Sequence, residues 1–94
     1  MAESIIQMRK ECYVTGATYN LDCHHIFKGS RRKLSEKYGL KVWLRHDLHL
    51  DMHDHRKPYE TLENDLKAIA QKAFEEKTGT REEFMSIFGA SYID

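Results

Sequence analysis

The chain has 94 residues, two cysteines, and fifteen acidic against fifteen basic side chains, so its formal net charge is zero. That length gives one domain burying roughly 60–65% of its unfolded surface, and two cysteines exclude a disulfide framework. No apolar run approaches the ~20 residues of a membrane span and residues 1–10 lack the apolar stretch of a signal peptide, so a cytoplasmic protein with reduced thiols is expected.

The zero balance hides an asymmetry. Residues 1–58 hold eleven Lys/Arg against seven Asp/Glu, whereas residues 59–94 hold four against eight. All six histidines lie in the basic half. Residues 1–10 offer Ile5, Ile6 and Met8, either a short helix or a loose arm. Glu11–Val14 reads as a short strand, because Tyr13 and Val14 are β-prone, and Thr15–Thr18 as a turn. Asn20–Phe27 resumes an extended path, with Asp22 and His24 on one side and Leu21, Cys23, His25 and Phe27 on the other. Ser30 is a candidate N-cap for a basic helix over Arg31–Tyr38, which Gly39 ends.

Lys41–Leu44 is the clearest strand. A helix carrying His49 and His53 then follows, with Leu48 and Met52 as its inward stripe and Pro58 closing the segment. From Tyr59 to about Lys77, Leu62, Leu66, Ile69, Ala70, Ala73 and Phe74 recur at helical spacing. Gly79 stops that helix, and Thr80-Arg81-Glu82-Glu83 is a capping box for a last helix that buries Phe84, Ile87 and Phe88. Trp43, Tyr38 and the Leu62–Phe74 stripe read as core; Cys12 and Cys23 read as small buried hydrophobes.

The chemistry concentrates in two histidine groups. His49 and His53, four apart on a helix, put their imidazoles on one face, where they can chelate one divalent ion. A third ligand comes from the His24-His25 doublet. Adjacent strand residues point to opposite sides, so one holds metal while the other reaches substrate. We assign His24, His49 and His53 to the metal and His25 to proton abstraction, since neutral histidine suits a general base near physiological pH. Lys28, Arg31 and Arg32, within a cluster completed by Lys33 and Lys37, suit a phosphate backbone, although such a cluster also arises as a solvated helix face. The ion is Zn, Ni, Mg or Mn; imidazole ligands alone do not choose. His46 reads as a surface or capping residue.

A doublet at a strand end, an intervening strand, then His-x-x-x-His on a helix resembles the HNH (His-Me finger, ββα-metal) endonuclease family. His49-Leu50-Asp51-Met52-His53 looks like the metal-binding helix of colicin DNase domains. His24-His25-Ile26-Phe27-Lys28-Gly29, Arg32, Ser35-Glu36-Lys37-Tyr38-Gly39-Leu40 and Arg81–Tyr92 look like small phage-encoded HNH-like proteins. The resemblance implies an α+β fold in one domain spanning 1–94: a ββα-metal core over 11–57 with short antiparallel strands, and a C-terminal helical extension over 59–94. It also implies a metal-dependent DNA endonuclease of phage or prophage origin, with the same ligands and base.

The sequence departs from the family in two places. The middle Asn falls near Leu40, whose side chain cannot orient the base, so a backbone carbonyl or another side chain must do so. The structural zinc of many relatives cannot form, because Cys12 is followed three residues on by Thr15. The last ligand varies in position within the family, which leaves His55 competing with His53. Two other functions remain open on this fold: a DNA-binding module without catalysis, and a protein-interaction factor that uses the acidic C-terminal helices as its contact.

Overall fold

Two short strands pair antiparallel at the centre of the molecule, β1 (Leu21–His25) with β2 (Lys41–Arg45), in a register running from Leu21 opposite Arg45 to His25 opposite Lys41. The computed structural model describes residues 3–93. Between the strands lie a 3-10 turn (Gly29–Arg31) and α1 (Arg32–Lys37); after them come α2 (His46–His53), α3 (Leu62–Lys77) and α4 (Arg81–Phe88). The class is α+β.

An isolated strand pair is marginal in water, so this one depends on what covers it. Val42 and Leu44 on β2 face the core, together with Leu48 and Met52 of α2, which form the inward stripe of that helix. On β1 the period-2 alternation buries His24 and turns Cys23 outward, so Cys23 is exposed rather than a core hydrophobe. Trp43 is likewise only half-buried, with Lys10 Nζ 4.6 Å from its ring centroid.

No strand forms over Glu11–Val14. A single ladder-like bond joins Tyr13 N–H to the Trp43 carbonyl (2.8 Å). The chain then curls back, with Cys12 N–H donating to Ala17 O and Gly16 N–H to Cys12 O. Gly16, at φ 78°, permits the curl, and Cys12 enters the core at its base. The preceding segment lies along the outer edge of β2. Ser4 Oγ donates to Lys41 O (2.6 Å), and Gln7 Oε1 accepts from Trp43 N–H (2.8 Å). Side chains thus satisfy edge groups that another strand would otherwise pair with.

Ser30 does not cap α1. The 3-10 turn starts after Lys28, and neither it nor α1 has a side-chain cap bond. Ser35 anchors the helix instead. It is fully buried, its hydroxyl donating to the Leu40 carbonyl and accepting from Phe27 N–H. Helix α3 starts at Leu62 rather than Tyr59, because Tyr59 N–H closes a turn onto Arg56 O. The capping box opening α4 is present in both directions, Glu83 N–H to Thr80 Oγ1 and Thr80 N–H to Glu83 Oε1, each 3.1 Å.

The C-terminal helices complete the core. Phe27, two residues beyond His25, packs against Phe88 with ring centroids 4.5 Å apart, and Phe84 stacks on Phe88 at 4.7 Å. Leu66, Ala70, Phe74, Phe84 and Phe88 belong to the same buried cluster as Val42, Leu44 and Met52. Among the described residues no helix is long and apolar enough to cross a membrane.

Candidate metal centre

Helix α2 follows directly on Arg45, which pairs with Leu21 at the start of β1, and it brings His49 and His53 to His24 of that strand. Each offers one ring nitrogen, and the three lie within 4.8 Å of one another. His49 Nε2 is 3.2 Å from His24 Nδ1 and 3.0 Å from His53 Nε2. A tetrahedral ion with bonds of about 2.0–2.1 Å would hold its nitrogens about 3.3–3.4 Å apart, close to these two separations. His46 and His55 stay outside the cluster. His46 is exposed, and His55 sits beyond α2 at φ 55°, so His53 is the helix residue brought to His24.

The protons around the cluster can be assigned. Asp22, two residues before His24 on the same strand face, accepts from His49 Nδ1 (2.9 Å) and His46 Nδ1 (2.7 Å) through one carboxylate oxygen. An ionised carboxylate only accepts, so the His49 proton sits on Nδ1 and its Nε2 lone pair faces the cluster. The His49 hydrogen bond, with a further contribution from His46, lowers the Asp22 pKa.

Lys28 Nζ donates to His53 Nδ1 (2.7 Å) and pairs with Glu63 Oε1 of α3 (2.7 Å). Burial works against ionised Glu63, but the Lys28 contact outweighs it and lowers its pKa. In this arrangement the His53 proton lies on Nε2 and points at His49. Holding a cation through Nε2 requires that proton to be on Nδ1, so Lys28 must release the ring while Glu63 retains Lys28.

His24 is the buried member. Desolvation, reinforced by the His49 and His53 charges, pushes its pKa down to about 3, so it is neutral and fit to ligate. Burial and the Lys28 ammonium also lower His53. His24 Nε2 is buried without a hydrogen-bond partner among the described residues, which costs about 1–3 kcal/mol, and two ring protons compete for the single His49 Nε2 lone pair. A cation among the three rings would remove that competition and contribute binding energy against the cost. The donor set fits a divalent ion.

These rings open onto a cavity of about 170 Å³ lined by Cys23, His24, His25, Lys28, Arg32, His49 and His53. Two larger grooves of about 440 Å³ lie along the N-terminal segment, but neither lining carries a metal-ligating cluster among the described residues. Of the three cations singled out from the sequence, Lys28 and Arg32 reach the histidine cavity. Arg31 lies elsewhere, against Gly89 at the end of α4, where an added Cβ would come within 2.9 Å of Arg31 Nη2. Its positive charge there meets the negative end of α4, whose last turn has no basic residue of its own.

His25 lines the same cavity from the next position on β1, with its side chain 11% exposed and Nε2 2.9 Å from Glu36 Oε1. The other carboxylate oxygen of Glu36 accepts from Lys41 Nζ at 2.7 Å. The hydrogen bonds from Lys41 and then His25 lower the Glu36 pKa to about 2. Sequence reading missed Asp22, Glu36 and Glu63 as parts of the site. Asp22 carried a signal, its two-residue spacing from His24. The other two carried none, because their helices approach the site only through tertiary packing.

No protein-family model matches the chain, and no curated protein or solved structure compared with it does so either.

Proposed function

We propose that this protein is a metal-dependent DNA endonuclease with a ββα-metal core of the HNH (His-Me finger) kind, hydrolysing phosphodiester bonds. His24, His49 and His53 would hold one divalent ion, and His25 would act as general base. One observation carries the reading: three imidazole nitrogens from β1 and α2 meet within 4.8 Å, beside a cavity that His25, Lys28 and Arg32 also line. Metal ligands, a proton acceptor and cations for phosphate within one small cavity are the parts that phosphodiester hydrolysis requires.

A divalent ion held by His24, His49 and His53 would supply Lewis-acid charge for hydrolysis of the phosphodiester. Imidazole ligands favour zinc or nickel over magnesium. His25 accepts a proton from water as the water oxygen bonds to phosphorus. The bond from phosphorus to the leaving oxygen breaks, and that oxygen departs with the bonding pair and is protonated from solvent. Lys28 and Arg32 bind flanking phosphates, and such contacts orient a duplex without reading its sequence. Asp22 keeps the His49 lone pair directed at the metal position.

The test is plasmid nicking by the purified protein with Zn²⁺, Ni²⁺, Mn²⁺ or Mg²⁺ in turn. Nicking with at least one ion is expected, reduced by about 10²–10⁴-fold in His25→Ala, the range for loss of a general base. Absence of nicking with every ion, or full activity in His25→Ala, removes the reading.

A further inference from the structure

We propose that Glu36 is the positioning residue for His25, fixing its imidazole with the proton on Nε2 so that Nδ1 is the atom that takes the proton from water. The base role rests on the function proposed above; the placement of the ring proton stands on geometry alone. A carboxylate has no hydrogen to give, so the 2.9 Å contact between His25 Nε2 and Glu36 Oε1 requires Nε2–H in the neutral ring. The remaining lone pair is then on Nδ1.

Glu36 is itself held in place. Lys41, only 8% exposed and opposite His25 in the strand register, donates to its second oxygen at 2.7 Å. Its neighbour Ser35, wholly buried, ties α1 to Phe27 and Leu40. The orienting group thus arrives from the helix between the strands. Leu40, where the family resemblance would put an asparagine, is fully buried and serves the core instead. Orientation by carboxylate and packing by leucine are divided between two residues four apart.

Four variants test this: Glu36→Leu, Glu36→Gln, His25→Ala and the His25→Ala/Glu36→Leu double. Glu36→Leu should lower kcat for nicking by about 10–100-fold, the usual effect of losing a group that orients an active imidazole, with KM and metal affinity unchanged. Glu36→Gln keeps an acceptor oxygen at the same reach and should restore most of the rate. It also covers the case in which Glu36→Leu unfolds the protein by stranding Lys41. In the His25→Ala background, Glu36→Leu should cost nothing further, whereas a merely structural role would lower the rate in both backgrounds.

A second readout needs no activity. Nitrogen-15 spectra of the metal-free protein, above the imidazole titration range, should show His25 with Nε2–H, and Glu36→Leu should give a mixture of tautomers. An Nδ1–H ring in the wild type, or a kcat untouched by Glu36→Leu while His25→Ala abolishes nicking, overturns the inference. If the wild type nicks with no ion, the nuclease reading fails by itself. The ring spectrum then decides alone: Nε2–H upholds the Glu36 contact and Nδ1–H removes it.

Discussion

His24 combines full burial with a titratable ring, and that pairing sets how the metal-free protein answers acid. Its pKa is about 3 in the folded state against about 6.5 when unfolded. Between those values the unfolded chain binds a proton that the folded chain does not. Stability is therefore complete above the unfolded pKa and declines as pH falls toward the folded one. The full difference is on the order of 5 kcal/mol, of which about 2 kcal/mol is lost between pH 6.5 and pH 5. Asp22 and Glu36 are also depressed, but as carboxylates they contribute only below about pH 4.5, so the upper window belongs to the histidines. Urea unfolding of chelator-treated protein at pH 7 and pH 5 measures the loss. His24→Leu should remove most of the difference, leaving the smaller part due to His53. Equal stability of the wild type at both pH values would contradict the assigned burial.

Helix α1 and the N-terminal segment meet at Gly39, and this junction sets where Glu36 stands relative to His25. Gly39 has φ 70°, and a Cβ there would lie 2.3 Å from the Glu3 carbonyl oxygen, a backbone atom that cannot rotate away. Gly16 has φ 78° with open space around it, so it isolates the cost of the dihedral alone. Gly16→Ala should therefore cost about 1 kcal/mol, and Gly39→Ala about 2–4 kcal/mol, because strain and clash both act. In thermal melting the latter is a drop of about 10–25 °C. Equal effects at both positions would show that the segment yields freely. Elements whose ends are set locally were legible in the sequence: α4 through its capping box, most of α3 through its apolar spacing, and the His49–His53 pair through its four-residue separation. Glu11–Val14 was not legible, because β-prone side chains do not reveal that Cys12 bonds forward to Gly16 and Ala17. The contact of Glu36 with His25 was beyond reach for a related reason: it depends on how far α1 folds back over the strand ends, which no periodicity encodes.

At the scale of the molecule, the three clustered histidine rings tie β1 to α2, and the aromatic cluster two residues beyond His25 ties both to α3 and α4. A domain of this size buries a modest core, so a ligand that binds only the folded state shifts its melting measurably. At an ion concentration about 100 times Kd the gain is about 2.7 kcal/mol, and a chain of this length should melt about 10–20 °C higher. His49→Ala with His53→Ala should abolish the rise while leaving a folded metal-free protein, since both rings are only partly buried. His24→Ala is a poorer test because it also opens a void in the core. A rise that survives in the double variant would assign the ion to other groups. A rise that disappears there locates it at the pair of rings that α2 brings to His24.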